Sequence, residues 1–229
     1  MKILIIIPAY NEYESIMGVI QDIEQYYPSA DKLVINDSST DKTKDILLQN
    51  NINFLDLPLN LGIGGGVQAG YLYAYEKDYD IAIQMDGDGQ HCAQELEKII
   101  EPIKSGDANV VIGSRFINSE GFQSSQMRRI GINFLSKLIK LCTGITVKDV
   151  TSGFRAVDKK FIEILSKEYA QDYPEPEAIS VVSKHKGKLL EVPVIMRKRM
   201  TGKSSISFKN SIYYMVKVTL AILIQKVSR

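Results

Sequence analysis

The chain has 229 residues, 45% of them hydrophobic, with 28 Lys or Arg against 27 Asp or Glu and a formal net charge of +1. That length suits one compact domain with a substantial core, and so even a charge balance excludes a nucleic-acid binder driven by bulk charge. Two cysteines, Cys92 and Cys142, are too few for a disulfide framework and read as thiols in a reducing cytoplasm.

Ile3–Ile7 reads as a buried strand rather than a signal peptide, because the apolar run stops at Pro8 and Asn11-Glu12 follow. Glu14–Tyr27 then predicts a helix, Lys32–Asn36 a strand, Thr40–Asn50 a helix capped from Ser39-Thr40-Asp41, and Ile52–Leu55 a strand. Gly65–Lys77, Ile81–Met85, Ala93–Ile103 and Val110–Ile112 continue the alternation as helix, strand, helix, strand. Such an alternation, with continuously apolar strands, implies an open α/β sheet, mostly parallel and flanked by helices. After Gly113 the pattern loosens to a helix over Gln126–Cys142, a strand over Lys188–Ile195 and a helix over Phe208–Lys226. No linker or repeat interrupts residues 1–229, so a single domain is expected.

Ligands of such sheets bind outside the carboxyl ends of the strands. Three polar clusters fall there: Pro8-Ala9-Tyr10-Asn11-Glu12, Asp37-Ser38-Ser39 and Asp86-Gly87-Asp88-Gly89-Gln90-His91. Two carboxylates two residues apart at a strand end suit Mg2+ or Mn2+, which leave coordination positions for phosphate oxygens. A Gly-rich polar turn would look the same over so short a stretch, and the buried strand before it favours the metal reading.

These clusters carry a resemblance. Pro8–Glu12, Val34-Ile35-Asn36-Asp37-Ser38-Ser39-Thr40-Asp41, Met85–His91, Gly113-Ser114-Arg115-Phe116 and Thr151-Ser152-Gly153-Phe154-Arg155 stand in the order of the motifs of family 2 glycosyltransferases with the Rossmann-like GT-A fold. The chain resembles the branch that makes dolichyl- or polyprenyl-phosphate sugars, from Ile3 to about Ser205. The resemblance implies a metal-dependent, inverting transfer from a nucleotide-sugar donor to polyprenyl phosphate. It implies that Pro8, Ala9, Tyr10, Glu12, Asp37, Gly64, Asp86 and Gly87 bind the nucleotide sugar, and that Asp86, Asp88 and Gln90 hold Mg2+ or Mn2+. It divides the chain into a donor half at 1–115, an acceptor half at 116–205 and a basic amphipathic helix at 206–229. Two departures matter: Asn36 replaces the first of a usual acidic pair, and Ile63 stands where mannosyl-type relatives often carry Lys. The donor is therefore UDP- or dTDP-linked at least as readily as GDP-linked.

Gly62-Ile63-Gly64-Gly65-Gly66 is a poor match to a dinucleotide fingerprint, which belongs after the first strand. These glycines are expected to let the backbone approach the donor and open a helix. A lipid phosphate needs cations rather than a general base, since its second pKa lies near 6. Arg115 and Arg129 are the first candidates, followed by Arg128, Arg197, Lys198 and Arg199 ahead of Thr201-Gly202-Lys203-Ser204-Ser205. A hydroxyl acceptor would need a base, for which Glu175 and Glu177 in a Pro-rich loop beginning at Tyr173 are the candidates. With Asp88, Arg115 and Arg129, Glu177 completes the expected catalytic set. His91 adjoins the metal motif, within reach of a phosphate, and His185 reads as surface.

From Arg197 to Arg229 there are eight Lys or Arg and no acid. Ile212, Met215, Val216, Leu220, Leu223 and Val227 follow helical spacing there, with Lys209, Lys217 and Lys226 elsewhere on the wheel. This segment is too short to span a bilayer and suits an interfacial helix on anionic lipid. The expected place is peripheral on the cytoplasmic membrane face, alone or with a small membrane protein. Rival readings are extension of a glycan at a hydroxyl, a nucleotidyltransferase releasing pyrophosphate, and a non-catalytic nucleotide-sugar sensor.

Overall fold

The apolar run after Lys2 becomes β1 (Ile3–Ala9), all seven residues of which are buried. In the computed structural model, which describes residues 1–172, 174–199 and 208–227, β1 lies parallel to β2 (Asp31–Asn36) and to β4 (Ile81–Gln84). Tyr173 and Thr201-Gly202-Lys203-Ser204-Ser205 lie outside the described residues, as do the side chains of Lys209, Ile212 and Val227. Successive side chains of a strand point to opposite faces, so β1 feeds two cores. Ile3, Ile5 and Ile7 pack with α1 (Ile16–Tyr26) and α4 (Leu96–Lys104); Leu4 and Ile6 pack with α3 (Gly62–Glu76) and α6 (Lys159–Lys167). α1 meets the sheet through Ile16, Val19, Ile20 and Ile23, one stripe at helical spacing. Burying each such side chain is worth about 1.5–3 kcal/mol.

β3 (Phe54–Asp56) extends the parallel set beyond β2. On the other side β6 (Arg155–Asp158) enters antiparallel between β4 and β5 (Val110–Ser114), and β7 (Leu189–Pro193) runs parallel to β5. The seven strands stand in the order β3-β2-β1-β4-β6-β5-β7, a mostly parallel sheet with one reversed strand. The apolar pattern gave no sign of β6, a four-residue strand with a charge at each end.

Several expectations change, among them the start of α3, which is Gly62 rather than Gly65. α2 (Thr43–Gln49) starts three residues later than expected, because Asn11 Oδ1 accepts the Thr40 N–H (2.8 Å) and holds Ser39–Asp41 as a loop. Asp41 still supports the helix, its Oδ1 accepting from Thr43 N–H at 2.9 Å. The segment expected as a Pro-rich loop is α7 (Pro174–Lys184). Pro174 and Pro176 sit in its first turn, where backbone N–H groups have no intrahelical partner, and Glu175 and Glu177 suit the positive end of the helix dipole.

α5 (Gln126–Thr143) and α8 (Phe208–Val227) pack on each other and on α7. Ile132, Leu135, Ile139, Val218 and Ile222 form with Phe116 a third apolar cluster. The opposite faces of the two helices stay bare: Ile130, Phe134, Val216, Leu220 and Ile224 are 51–65% exposed. Among the described residues no helix is long and apolar enough to cross a membrane.

Candidate active site

The turn after β4 is drawn onto the end of β1. Gly87 N–H donates to Pro8 O at 3.3 Å, and a Cβ on Gly87 would stand 3.0 Å from that oxygen. Asp86 N–H donates to His91 Nδ1 (3.0 Å), which closes the turn and puts the ring's proton on Nε2. The buried His91 ring stacks on Phe154 at 4.8 Å, so His91 is a strut of the turn. Asp88 Oδ1 accepts from Gln90 N–H (2.9 Å), and its side chain is buried. Burial first, and then the Asp86 charge, push the Asp88 carboxyl above the usual carboxylate range, against His91 and Arg199.

Glu12 faces the same spot. Its Oε2 accepts from Ser15 Oγ (2.8 Å) and its Oε1 from Arg199 Nη2 (2.5 Å), while Arg199 Nε stands 3.4 Å from Asp88 Oδ2. One guanidinium thus bridges the opening motif and the Asp-Gly-Asp turn. Burial raises the Glu12 carboxyl, and Ser15 and Arg199 oppose the rise.

The remaining donor-side residues include several that brace the chain itself. Ala9 O accepts Asp37 N–H (2.9 Å), tying β1 to the end of β2. Asp37 is buried and its Oδ1 accepts Leu61 N–H (2.7 Å), so this carboxylate staples the start of α3; burial raises its pKa against that contact and one from Gly62. Tyr10 is 48% exposed at the rim, open to stack on a planar ligand. Asn36 donates through Nδ2 to Asp56 Oδ1 (2.6 Å), so the amide in the acidic position works within the sheet. Gly64 was expected to approach the donor, and what it approaches is the chain: a Cβ there would lie 2.1 Å from Ala170 O and 2.2 Å from Gln171 O. Gly64→Ala should therefore cost about 1–3 kcal/mol. Urea unfolding checks this, and an unchanged midpoint would mean that residues 170–171 yield freely.

Arg115 and Arg129 do come together. Their Cζ atoms lie 5.1 and 4.4 Å from the Phe116 ring centre, and Gln123 links them, donating to Arg115 O (2.9 Å) and accepting from Arg129 Nη1 (3.2 Å). Arg115 is also clamped by Asp149, Nε to Oδ2 and Nη2 to Oδ1 at 2.7 Å each, which fixes the plane of its guanidinium. Asp149 is wholly buried and escaped the sequence reading; its one sign was an acid two residues before the Thr151–Arg155 motif.

The two glutamates of α7 part company. Glu175 senses Arg155, Asp86 and Gln84, whereas Glu177 has Asp172 and Lys217 as charged neighbours; burial raises both carboxyls. Glu177 is therefore on the α8 side, and Glu175 is the one turned toward the Asp86 turn. His185 is partly buried, its Nε2 3.3 Å from Glu168. Arg197 pairs with Asp22 at 3.2 Å, and among the described residues of the basic run it is Arg199 that reaches the carboxylates.

The profile of the family described as glycosyl transferase family 2 matches residues 4–165. The chain is 30% identical to the UDP-N-acetylglucosamine–dolichyl-phosphate N-acetylglucosaminyltransferase of Methanococcus voltae, over 84% of each chain. It is 29% identical to the undecaprenyl-phosphate mannosyltransferase of Micrococcus luteus, over 90% of this chain and 88% of that one. Among solved structures, glucosyl-3-phosphoglycerate synthase from Mycobacterium tuberculosis, in complex with Mn2+, UDP and phosphoglyceric acid, superposes with a TM-score of 0.73 at 19% identity. That match covers 98% of this chain and 78% of the other, and it shows the shared fold. With a mostly parallel sheet of this order and its motifs gathered at the strand ends, the chain belongs to glycosyl transferase family 2 and is a glycosyltransferase of the GT-A fold.

Proposed function

We propose that the enzyme moves a sugar, with inversion, from a nucleoside-diphosphate sugar to polyprenyl phosphate at a membrane surface, with Mg2+ or Mn2+ bound at Asp86, Asp88 and Gln90. The observation that carries the acceptor is the pair Arg115 and Arg129 on Phe116, because Phe116 belongs to the same apolar cluster as α5 and α8. On the outer face of that cluster, Ile130, Phe134, Val216 and Leu220, with Met215 between them and the core, line an apolar groove of about 550 Å3. Cations beside bare apolar surface suit an amphiphile with an anionic head. α5 and α8 hold no Asp or Glu, which suits anionic lipid as well. The two relatives above are named for transfer to dolichyl and undecaprenyl phosphate.

The residues present fit a divalent cation. Asp88 is buried beside Asp86, two like charges that a cation would relieve, and Arg199 already lies against Asp88 as a counter-charge. Among the described residues no group of three or more His, Cys, Asp or Glu converges as a metal cluster, so diphosphate oxygens and water would supply the other ligands. When bound, the cation would act as a Lewis acid on the leaving diphosphate. Glu12 and Asp37 would face the nucleoside, and Arg199 the diphosphate. Arg115, fixed by Asp149, and Arg129 would hold the acceptor phosphate on the far side of the sugar for in-line attack. A phosphate largely ionised at neutral pH needs no base.

Turnover of a nucleotide-sugar panel with Mn2+, with and without polyprenyl phosphate in detergent, tests this reading. Nucleoside diphosphate should appear only with the lipid present. Arg129→Gln should raise the lipid KM about tenfold or more, the equivalent of 1.4 kcal/mol of charge-assisted contact, while Glu177→Gln leaves turnover within about twofold. A rate indifferent to the lipid would instead mean a different acceptor, with Glu175 and Glu177 the bases to test next.

A further inference from the structure

The Thr151–Arg155 motif and Glu175 have no part in the chemistry above, yet they converge beneath Asp86. β4 and β6 pair so that Gln84 stands directly opposite Arg155. Cross-strand partners share a face, and so does the residue two further along, which is Asp86. Gln84 is fully buried, an amide at the end of an otherwise apolar strand. Its Nε2 donates to Asp86 Oδ1 (3.3 Å) and hydrogen-bonds Glu175, while its Oε1 accepts from Tyr169 Oη at 3.1 Å. Arg155, 1% exposed, lies across from it and donates to Ser152 O (2.6 Å) and Glu175 O (3.2 Å). Gly153 leaves the room: a Cβ there would lie 2.8 Å from Gln84 Nε2 and 3.1 Å from Asp86 Oδ1. Phe154 supports the other side through His91, the acceptor of the Asp86 N–H.

Gln84 thus has both ends of its amide held, and the Asp86 carboxylate, which can only accept, fixes which end is nitrogen. A buried amide so held cannot turn without leaving polar groups unpaired. Asp86 is partly exposed on its other side, toward the ligand space, and Gln84 is its hydrogen-bond partner from within the core. Of the carboxylates in this layer, Glu175 is kept in place by Arg155 and Gln84, a setting for a fixed neighbour rather than for a group that shuttles protons.

We infer that Gln84, held by Tyr169 and by Glu175, whose backbone Arg155 pins, is a positioning residue that fixes the Asp86 carboxylate from behind and so sets the affinity of the site for a cation–diphosphate pair. The inference rests on the reading that Asp86 meets that pair. It gives Thr151–Arg155 a role: Gly153 makes the space, Arg155 holds the charge and Phe154 braces the turn.

Calorimetric titration of Mn2+ into the full chain with saturating UDP, repeated with GDP, tests it. Gln84→Met removes both ends of the amide at similar volume and should weaken Mn2+ binding about 10- to 100-fold, the usual effect of losing a hydrogen bond behind a metal ligand. Tyr169→Phe, the milder change, should weaken it about 2- to 10-fold. Turnover of both variants should return to within about threefold of wild type at saturating Mn2+ and donor, since the reacting groups are untouched. Glu175→Gln separates the roles: a positioning residue loses metal affinity, whereas a general base loses kcat that excess Mn2+ cannot restore. Variants that melt lower yet bind Mn2+ like wild type would overturn the inference and leave these residues structural. If Gln84→Met does not fold, Tyr169→Phe with unchanged affinity overturns it equally. A wild-type chain that binds no Mn2+ with either nucleotide removes the metal reading, and this inference with it.

Discussion

Replacing Asp88 by Asn should abolish sugar transfer and at the same time give a chain more resistant to heat than the wild type. Lewis-acid stabilisation by a bound cation is worth several kcal/mol in the transition state, so on the metal site proposed above loss of the Asp88 carboxylate should cost about 10³-fold or more in turnover. The stability gain comes from burial. Asp88 is 7% exposed beside Asp86, and its carboxyl is raised from 3.8 even with His91 and Arg199 nearby. A carboxyl raised by folding costs stability once pH is above its folded pKa. That cost fades as pH falls and is absent below the unfolded value of 3.8. Asn carries no such cost, so in chelator the melting temperatures of Asp88→Asn and wild type should differ most near neutral pH and draw together in acid. A variant that melts below wild type at pH 7 would show that Arg199 more than compensates the buried charge.

Arg155→Met should be the most damaging single change in the core. The guanidinium is 1% exposed and donates to Ser152 O and Glu175 O, and its charge opposes the desolvation that raises the Glu175 carboxyl. Losing a buried charge together with its bonds to two carbonyls costs about 3–5 kcal/mol. At roughly 2–4 °C per kcal/mol for a chain of this size, the melting point should fall by about 6–20 °C. Much of that is the charge left behind, so Arg155→Met with Glu175→Gln should recover about 1–3 kcal/mol of the loss. Strictly additive effects in this double-mutant cycle would show that Arg155 serves the Ser152 carbonyl and not the acid.

What could be seen in the sequence depended on how local the physics was. Ile3–Ile7 was legible because a strand buried on both faces must be apolar throughout, and Asp86 and Asp88 because they break such a strand's end. Arg155–Asp158 was illegible because its pairing partners, β4 and β5, satisfy a strand with charged ends. Pro174 and Pro176 suggested a loop, although the first turn of a helix is the place that tolerates them. Gln84 did leave a signal, an amide where four apolar residues would suffice, but its meaning needed Tyr169 and Glu175, which are distant in sequence. Arg199 reaches Asp88 across the whole acceptor half, and nothing local to Arg197-Lys198-Arg199 tells it from its neighbours. Gly64 shows the converse: one member of a glycine cluster that suggested a ligand is required by the chain's own backbone at Ala170 and Gln171.

The separateness of the third apolar cluster bears on how such an enzyme changes its work. Ile132, Leu135, Ile139, Val218 and Ile222 pack with one another, while the carboxylate turn and the nucleoside side rest on the two cores fed by β1. The α5–α8 pair is bare on its outer face, whereas β1 is buried on both, so amides of α5 and α8 should exchange with solvent by a local route before those of β1 and β4. It can also be rebuilt on its own. On the acceptor site proposed above, drift in the outward residues of two helices would redirect the transferase to another acceptor without retuning its grip on the donor, a division of labour that lets one sheet serve many products.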